Sequence, residues 1–161
     1  MNKEAQFTHA HMTRFDWPMP APREQVWDVL TDTKCLPGWY GEGVIEGRVG
    51  GKVEFLAGHI KGVVTQWLPL SRLAYTWNVF MPGQTTSDYP ESYLTFELND
   101  TILALTHLPV LEAFVKLNAM GWHTFLDMVD AAARGGTVEA REVYMKRNAK
   151  RYGVDLSKRP S

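Results

Sequence analysis

Two polar residues stand on surfaces that the sequence otherwise predicts to be apolar, His107 on a strand and Asn118 on a helix. Strand alternation puts His107 on the same face as Leu103 and Leu105. A buried imidazole must satisfy two ring nitrogens, and it can titrate near neutral pH. His107 is therefore a candidate polar anchor, general base or metal ligand.

Asn118 falls near the centre of the apolar face of a predicted helix. A buried carboxamide without a partner costs about 1–3 kcal/mol, so we expect a hydrogen bond to Tyr75, His107, a water or a ligand. A polar group facing an apolar space is the usual design of a small-molecule site. A purely structural hydrogen bond to a strand is the alternative, and the sequence leaves both open.

Five aromatic side chains are expected to face the same space between sheet and helix. They either wall a pocket or fill a core, and the sequence does not decide between these roles. Together with His107 and Asn118 they form the predicted ligand-binding set: Tyr75, Trp77, Phe96, Trp122 and Phe125.

Other chemistry finds little support in the sequence. The phosphate-binding, dinucleotide-binding and serine-hydrolase motifs are absent, and Cys35 has no nearby base to activate it. His107 could contribute to a metal site, but no carboxylate or cysteine at suitable spacing completes one. We therefore predict no metal and no cofactor, and we assign no catalytic residue.

Composition narrows the class of protein. The chain has 161 residues and a net charge of −1, which argues against a dedicated nucleic-acid binder. No apolar run approaches the roughly 20 residues that span a bilayer. The single cysteine fits a reducing compartment and the polar start shows no signal peptide, so we expect a cytoplasmic protein.

The elements that would position these residues follow from periodicity and from turn residues. Alternation predicts a first strand over residues 7–17, which prolines then end. Two short helices are predicted next, over residues 23–31 and 32–36, with Pro37-Gly38 breaking the second.

The remaining pattern is a run of strands followed by helices. Strands are predicted over residues 59–68, 72–80, 92–98 and 101–108, and Pro109 is expected to end the sheet. A long helix over 110–134 and a final helix over 138–150 follow. This order indicates an α+β fold with the long helix packed on one sheet face. Residues 1–136 are predicted to form the domain, and residues 137–161 an additional helix with a polar tail.

Several of these residues also resemble a known family. The chain is similar to the START-like (SRPBCC, helix-grip) superfamily, and within it to the domain homologous to the C-terminal part of the heat-shock-protein-90 ATPase activator. The resemblance spans roughly residues 7–133. It is carried in order by Pro22, Val26-Trp27, Trp39, Gly47-Arg48-Val49-Gly50-Gly51, Gly62, Val64, Pro69, Leu73, Trp77, Thr101, Leu103, Leu105, His107 and Gly121-Trp122.

The resemblance implies a curved antiparallel sheet of about seven strands wrapped around the long helix, with a hydrophobic cavity between them. It also implies that the first strand lies beside the last, which would bring His9 or His11 near His107. It favours a domain that binds an apolar or amphipathic small molecule there. Because such families are functionally mixed, two alternatives stay open. One is a cyclase- or hydrolase-type enzyme that uses His107. The other is a module that contacts a chaperone or regulator, and a homodimer or another protein partner also stays open.

Overall fold

The structure, a computed structural model, describes residues 3–158. It contains seven strands and three α-helices in these residues. The strands are β1 (His11–Pro18), β2 (Gly43–Ile45), β3 (Lys52–Phe55), β4 (Ile60–Leu68), β5 (Arg72–Val79), β6 (Ser92–Leu98) and β7 (Ile102–Val110). The helices are α1 (Arg23–Thr31), α2 (Val115–Ala133) and α3 (Arg141–Tyr152).

All seven strands form one antiparallel sheet in the order β1-β7-β6-β5-β4-β3-β2. The sheet curves around α2, a helix of 19 residues, and the short α1 packs beside it. This is the predicted α+β helix-grip architecture, with a long helix held by a curved sheet. The last strand, β7, lies between β6 and β1. The first and last strands of the chain are therefore neighbours in the sheet.

The core lies between the inner sheet face and α2. Strand alternation places large apolar side chains from neighbouring strands on this face, and one stripe of α2 packs against them. Fully or almost fully buried members include Leu73, Leu94, Phe96, Leu103, Leu105, Trp122, Leu126 and Val129.

Helix α1 and strand β6 have the predicted bounds, whereas the other elements differ from their predicted bounds at one end or both. β1 begins at His11 rather than at residue 7, and Phe7 is exposed. The second short helix is a 3₁₀ turn at Leu36–Gly38, where Pro37 fits a first helical turn because its missing N–H is not needed there.

The expectation that Pro109 ends the sheet was wrong, because β7 continues to Val110. Leu108, opposite Tyr93, is the last residue of β7 that pairs with β6. Pro109 therefore has no partner on β6. The pairing with β1 is irregular between His11 and Thr13, so a residue without an N–H is tolerated at this end. Helix α2 accordingly starts at Val115, after a 3₁₀ turn at Glu112–Phe114.

Helix α3 packs against a polar face of α2. Asn148, which is fully buried, donates hydrogen bonds to Thr124 Oγ1 at 3.1 Å and to Asp127 Oδ2 at 2.9 Å. His123 on the same helix is half-buried beside Tyr152. The contact is mostly polar, which is why apolar periodicity did not reveal it.

No helix within residues 3–158 is long and apolar enough to cross a membrane. The division into a domain over residues 1–136 and an extension over 137–161 stays a prediction, and residues 159–161 lie outside the described part of the chain.

Candidate functional site

His107 lies on the inner face of β7, where it is only 2% exposed. Its cross-strand partners are Leu94 on β6 and Thr13 on β1. Two α2 side chains, Asn118 and Trp122, reach the same imidazole because residues four apart share a helix face. The sheet and the helix thus bring together the two polar residues singled out in the sequence.

The ring nitrogens of His107 are both hydrogen-bonded. Nδ1 lies 3.0 Å from Asn118 Nδ2 and 3.0 Å from Trp122 Nε1. An indole N–H can only donate, so Nδ1 is an unprotonated acceptor and Nε2 carries the proton. That proton points to Ser92 Oγ at 2.7 Å, and Ser92 in turn donates to the main-chain carbonyl of Trp77 at 2.6 Å.

Asn118 completes this network at its other end. Its Oδ1 accepts a hydrogen bond from Thr13 Oγ1 at 2.6 Å while its amide donates to His107. Side chains from β1, β6, β7 and α2 therefore form one continuous chain of hydrogen bonds. The carboxamide has a partner among the groups expected for it, and that partner is His107.

Burial sets the charge state of the imidazole. Desolvation is the largest effect and lowers the pKa of His107 to about 4, although the hydrogen bond from Asn118 opposes it. His107 is therefore neutral at pH 7. Protonation of Nδ1 would place an N–H against two other N–H donors, so this imidazole holds Asn118 and Trp122 in position rather than offering a free base.

A second group of side chains lies beside this network and is centred on Tyr40. Its ring stacks on Phe55 at 3.8 Å and on Phe125 at 5.1 Å between centroids. Its hydroxyl oxygen accepts a hydrogen bond from Trp77 Nε1. Tyr40 was not predicted as a site residue because it lies in the loop after the 3₁₀ turn at Leu36–Gly38, where periodicity gives no signal.

Tyr75 carries an unpartnered polar atom in this interior. The residue is 1% exposed, and its hydroxyl has no hydrogen-bond partner among residues 3–158. Burial raises the pKa of Tyr75 well above its usual range, and the nearby Tyr40 adds to the rise. The hydroxyl is thus a neutral group in an apolar setting.

Four of the five predicted aromatic residues lie together. Trp122 sits at their centre, with ring centroids 5.5 Å from Phe125, 6.1 Å from Trp77 and 6.5 Å from Phe96. Trp122 and Phe96 are buried, whereas Trp77 and Phe125 are half-buried at the margin. These rings occupy the space between sheet and helix, and a cavity there remains a prediction.

Two surface grooves lie away from this interior. One is on the outer face of the sheet, lined in part by Arg14, Arg72 and Glu97. The other lies between the start of α1 and the end of α2. Neither includes any member of the predicted ligand-binding set.

The histidines considered for a metal site are not brought together. His11 pairs with Val110 across the sheet and contacts Glu112, while Thr13 takes the place opposite His107. His9 is exposed ahead of β1. Within the described residues no group of three or more histidine, cysteine, aspartate or glutamate side chains is placed to hold a metal ion.

Arg141, the first residue of α3, reaches the loop that carries Tyr40. One of its terminal nitrogens donates to the main-chain carbonyls of Trp39 at 3.1 Å and Tyr40 at 2.8 Å. Its guanidinium lies over the ring of Phe125, 5.1 Å from the centroid, and its Nε is buried without a partner among the described residues. Periodicity does not predict this contact, since it joins positions about a hundred residues apart.

Comparison with known proteins places this geometry in a family. The family described as "Activator of Hsp90 ATPase homolog 1-like protein" matches residues 20–134, which is most of the chain. The chain belongs to this family. The match begins after β1, covers α1, α2 and strands β2 to β7, and ends before α3, so Arg141 lies outside the matched part. No curated protein matches the chain.

Solved structures share the fold at low sequence identity. CalU16 from Micromonospora echinospora is 20% identical with a TM-score of 0.67, covering 92% of this chain and 97% of its own. The BPP1335 protein of Bordetella parapertussis is 18% identical with a TM-score of 0.67, covering 96% and 93%. PFC0360w, an HSP90 activator from Plasmodium falciparum, is 20% identical with a TM-score of 0.60, covering 74% and 94%. At these identities the similarity shows the fold.

Proposed function

We propose that this protein binds an apolar or amphipathic small molecule between the sheet and α2. The observation that carries the proposal is the buried Tyr75 hydroxyl, which has no hydrogen-bond partner among the described residues. Leaving such a group unpaired costs about 1–3 kcal/mol, and folded proteins keep few of them. A ligand that hydrogen-bonds this hydroxyl would offset that cost.

The surrounding side chains supply what such a site needs. Trp77, Phe96, Trp122 and Phe125 offer apolar and aromatic walls, and His107 with Asn118 adds a small number of fixed polar atoms. The half-buried Trp77 and Phe125 lie at the margin, where displacement of a ring would admit a ligand. His107 contributes by holding the Asn118 amide and the Trp122 indole in fixed orientations.

The enzymatic alternative is less well supported by the same geometry. A general base must reach the proton that it removes, and both nitrogens of His107 are already bonded to protein groups. Binding without catalysis is therefore the preferred function. We also propose a cytoplasmic location, supported by the single cysteine of the chain.

Fluorescence titration with N-phenyl-1-naphthylamine, a neutral apolar dye, tests the proposal. We expect saturable enhancement of dye emission by the folded wild type, together with quenching of tryptophan emission. Trp77→Phe should weaken binding several-fold, since Trp77 lies at the margin of the site. The matched control is Trp67→Phe, because Trp67 is also half-buried but packs against Trp27 away from α2.

Mass spectrometry of solvent extracts of the purified protein provides a second measurement. A small molecule released in stoichiometric amount from the wild type would support the proposal. If no dye binds and no molecule is extracted while the protein remains folded, the proposal is wrong.

A second candidate function rests on an exposed apolar patch on the outer face of the sheet. Tyr93 and Leu108 are cross-strand partners that are 49% and 40% exposed, and Met12 on the next strand is 53% exposed. Such a patch can contact another protein. Because a structural relative is described as an HSP90 activator, the chaperone is the partner to test.

The test is the ATPase rate of purified Hsp90 with and without this protein. Stimulation that Leu108→Ser weakens, while the fold and dye binding persist, would support the second function. If this protein does not change the ATPase rate of Hsp90, small-molecule binding is left as the sole candidate function.

A further inference from the structure

The interior beside α2 holds two phenolic hydroxyl groups, those of Tyr40 and Tyr75. Tyr75 has no partner in either direction among the described residues. The Tyr40 oxygen accepts from Trp77 Nε1, but no acceptor for the Tyr40 proton is found in residues 3–158. Two buried phenolic protons therefore have no acceptor within the described part of the chain.

The nearby acceptors are already in use. Asn118 Oδ1 receives the Thr13 hydroxyl, and the main-chain carbonyl of Trp77 receives the Ser92 hydroxyl. His107 Nδ1 receives two N–H groups. A molecule that entered this interior would find O–H donors to satisfy, so its polar atom should be an acceptor.

The groups around His107 and Tyr75 are uncharged. His107 is neutral at pH 7, and its partners Ser92, Asn118 and Trp122 carry no charge. The Arg141 guanidinium lies to one side, over Phe125, where the carbonyls of Trp39 and Tyr40 hold one of its terminal nitrogens, and it bonds neither phenolic hydroxyl. An anion buried without a paired cation is costly, and a neutral acceptor is not.

We propose that the site selects a neutral apolar molecule bearing a carbonyl oxygen, and that Tyr40 and Tyr75 donate hydrogen bonds to that oxygen. This inference rests on the proposed function and adds the chemical class of the ligand. An aromatic ketone fits best, since the rings of Phe125 and Trp122 lie beside the Tyr40 ring. Tyr40 and Tyr75 are then the residues that determine specificity.

Three small probes of nearly equal shape separate the possibilities. Acetophenone carries the carbonyl, α-methylstyrene replaces its oxygen with a methylene group, and benzoate replaces the acetyl group with a carboxylate. Dissociation constants are measured by two-dimensional NMR of the full-length protein, with the indole N–H signals of Trp77 and Trp122 as reporters. We expect acetophenone to bind about tenfold more tightly than either of the other probes.

Two variants and one control assign the effect to the hydroxyls. Tyr75→Phe and Tyr40→Phe should each reduce the preference for acetophenone over α-methylstyrene by several-fold. Tyr93→Phe, which removes an exposed hydroxyl on the outer sheet face, should leave the preference intact. Tyr75→Phe removes no hydrogen bond from the described structure, so this variant is expected to fold even if Tyr40→Phe does not.

The outcomes distinguish this inference from the function on which it rests. Equal binding of acetophenone and α-methylstyrene would overturn the role of the hydroxyls while supporting a small-molecule site. Tighter binding of benzoate would overturn the neutral-ligand class. A preference for acetophenone that survives Tyr75→Phe would overturn the assignment of Tyr75. Absence of binding by all three probes, and by the naphthylamine dye, would overturn both proposals.

Discussion

At the scale of single residues, His107 shows how burial decides what a side chain can do. Its position on an apolar strand face was visible in the sequence, and so was its need for partners. The structure adds that Ser92, Asn118 and Trp122 satisfy both nitrogens. In this structure His107 is a neutral residue that joins the hydrogen bonds from the sheet to those from α2.

The lowered pKa of His107 predicts a pH-dependent stability. The unfolded chain protonates this imidazole near pH 6.5, whereas the folded protein protonates it near pH 4. Between these values the unfolded state binds more protons, so the contribution is complete above pH 6.5 and is lost as pH falls towards 4. The full loss is about 3 kcal/mol.

Urea unfolding of the wild type and His107→Gln at pH 7.0, 5.5 and 4.5 measures this contribution. Glutamine can donate and accept at the same place but does not titrate. We expect His107→Gln to be less stable at pH 7, with the difference shrinking as pH falls. Two curves that stay parallel from pH 7 to 4.5 would show that His107 does not carry the effect.

At the scale of elements, two glycines from the matched segments have opposite structural roles. A Cβ on Gly62 in β4 would lie 1.7 Å from the main-chain oxygen of Thr76 on β5. Gly121 lies inside α2, and a Cβ there meets no atom within 4 Å. The first glycine permits close approach of two strands, whereas the second only weakens a helix.

Alanine substitution tests this difference directly. Gly62→Ala should lower the free energy of unfolding by more than about 3 kcal/mol, because neither backbone can yield without breaking the ladder. Gly121→Ala should raise it by about 1 kcal/mol through helix propensity. Thermal and urea unfolding measure both, and a Gly62→Ala variant as stable as wild type would contradict the close approach.

How far the sequence predicts the structure depends on the signal that each residue carries. Helix α1 and strand β6 follow from periodicity and flanking turn residues. The link between Asn118 and His107 follows because a misplaced polar residue needs a partner. The role of Tyr40 was not predicted, because this residue lies in a loop, where apolar periodicity does not indicate which side chains are buried. The contact of Arg141 with Trp39 was missed because it joins distant positions through main-chain carbonyls.

At the scale of the whole molecule, α3 connects the end of the chain to the wall of the candidate site. Arg141 bonds the carbonyls of Trp39 and Tyr40, and Asn148 anchors the same helix on α2. The loop that carries Tyr40 is therefore held by a segment outside the part that matches the family. Its rigidity should depend on α3.

Arg141→Met tests this dependence, since methionine keeps an apolar stem and removes the donors. Loss of charged hydrogen bonds to two carbonyls should lower the free energy of unfolding by about 2 kcal/mol. Amide exchange at Tyr40 and Gly41 should quicken. Lys146→Met, an exposed change on the same helix, is the control. If amide hydrogen exchange at Tyr40 and Gly41 is equally slow in Arg141→Met and Lys146→Met, Arg141 does not hold this loop.

The network around His107 also bears on the order in which the chain folds. β4, β5, β6 and β7 follow one another along the chain and pair as neighbours, so their contacts close short loops. Thr13 can reach Asn118 only after β1 has paired with β7 across most of the sequence, which is the more costly closure. We therefore expect the hydrogen-bond network to be completed late in folding, so that an intact network reports that the first and last strands have paired.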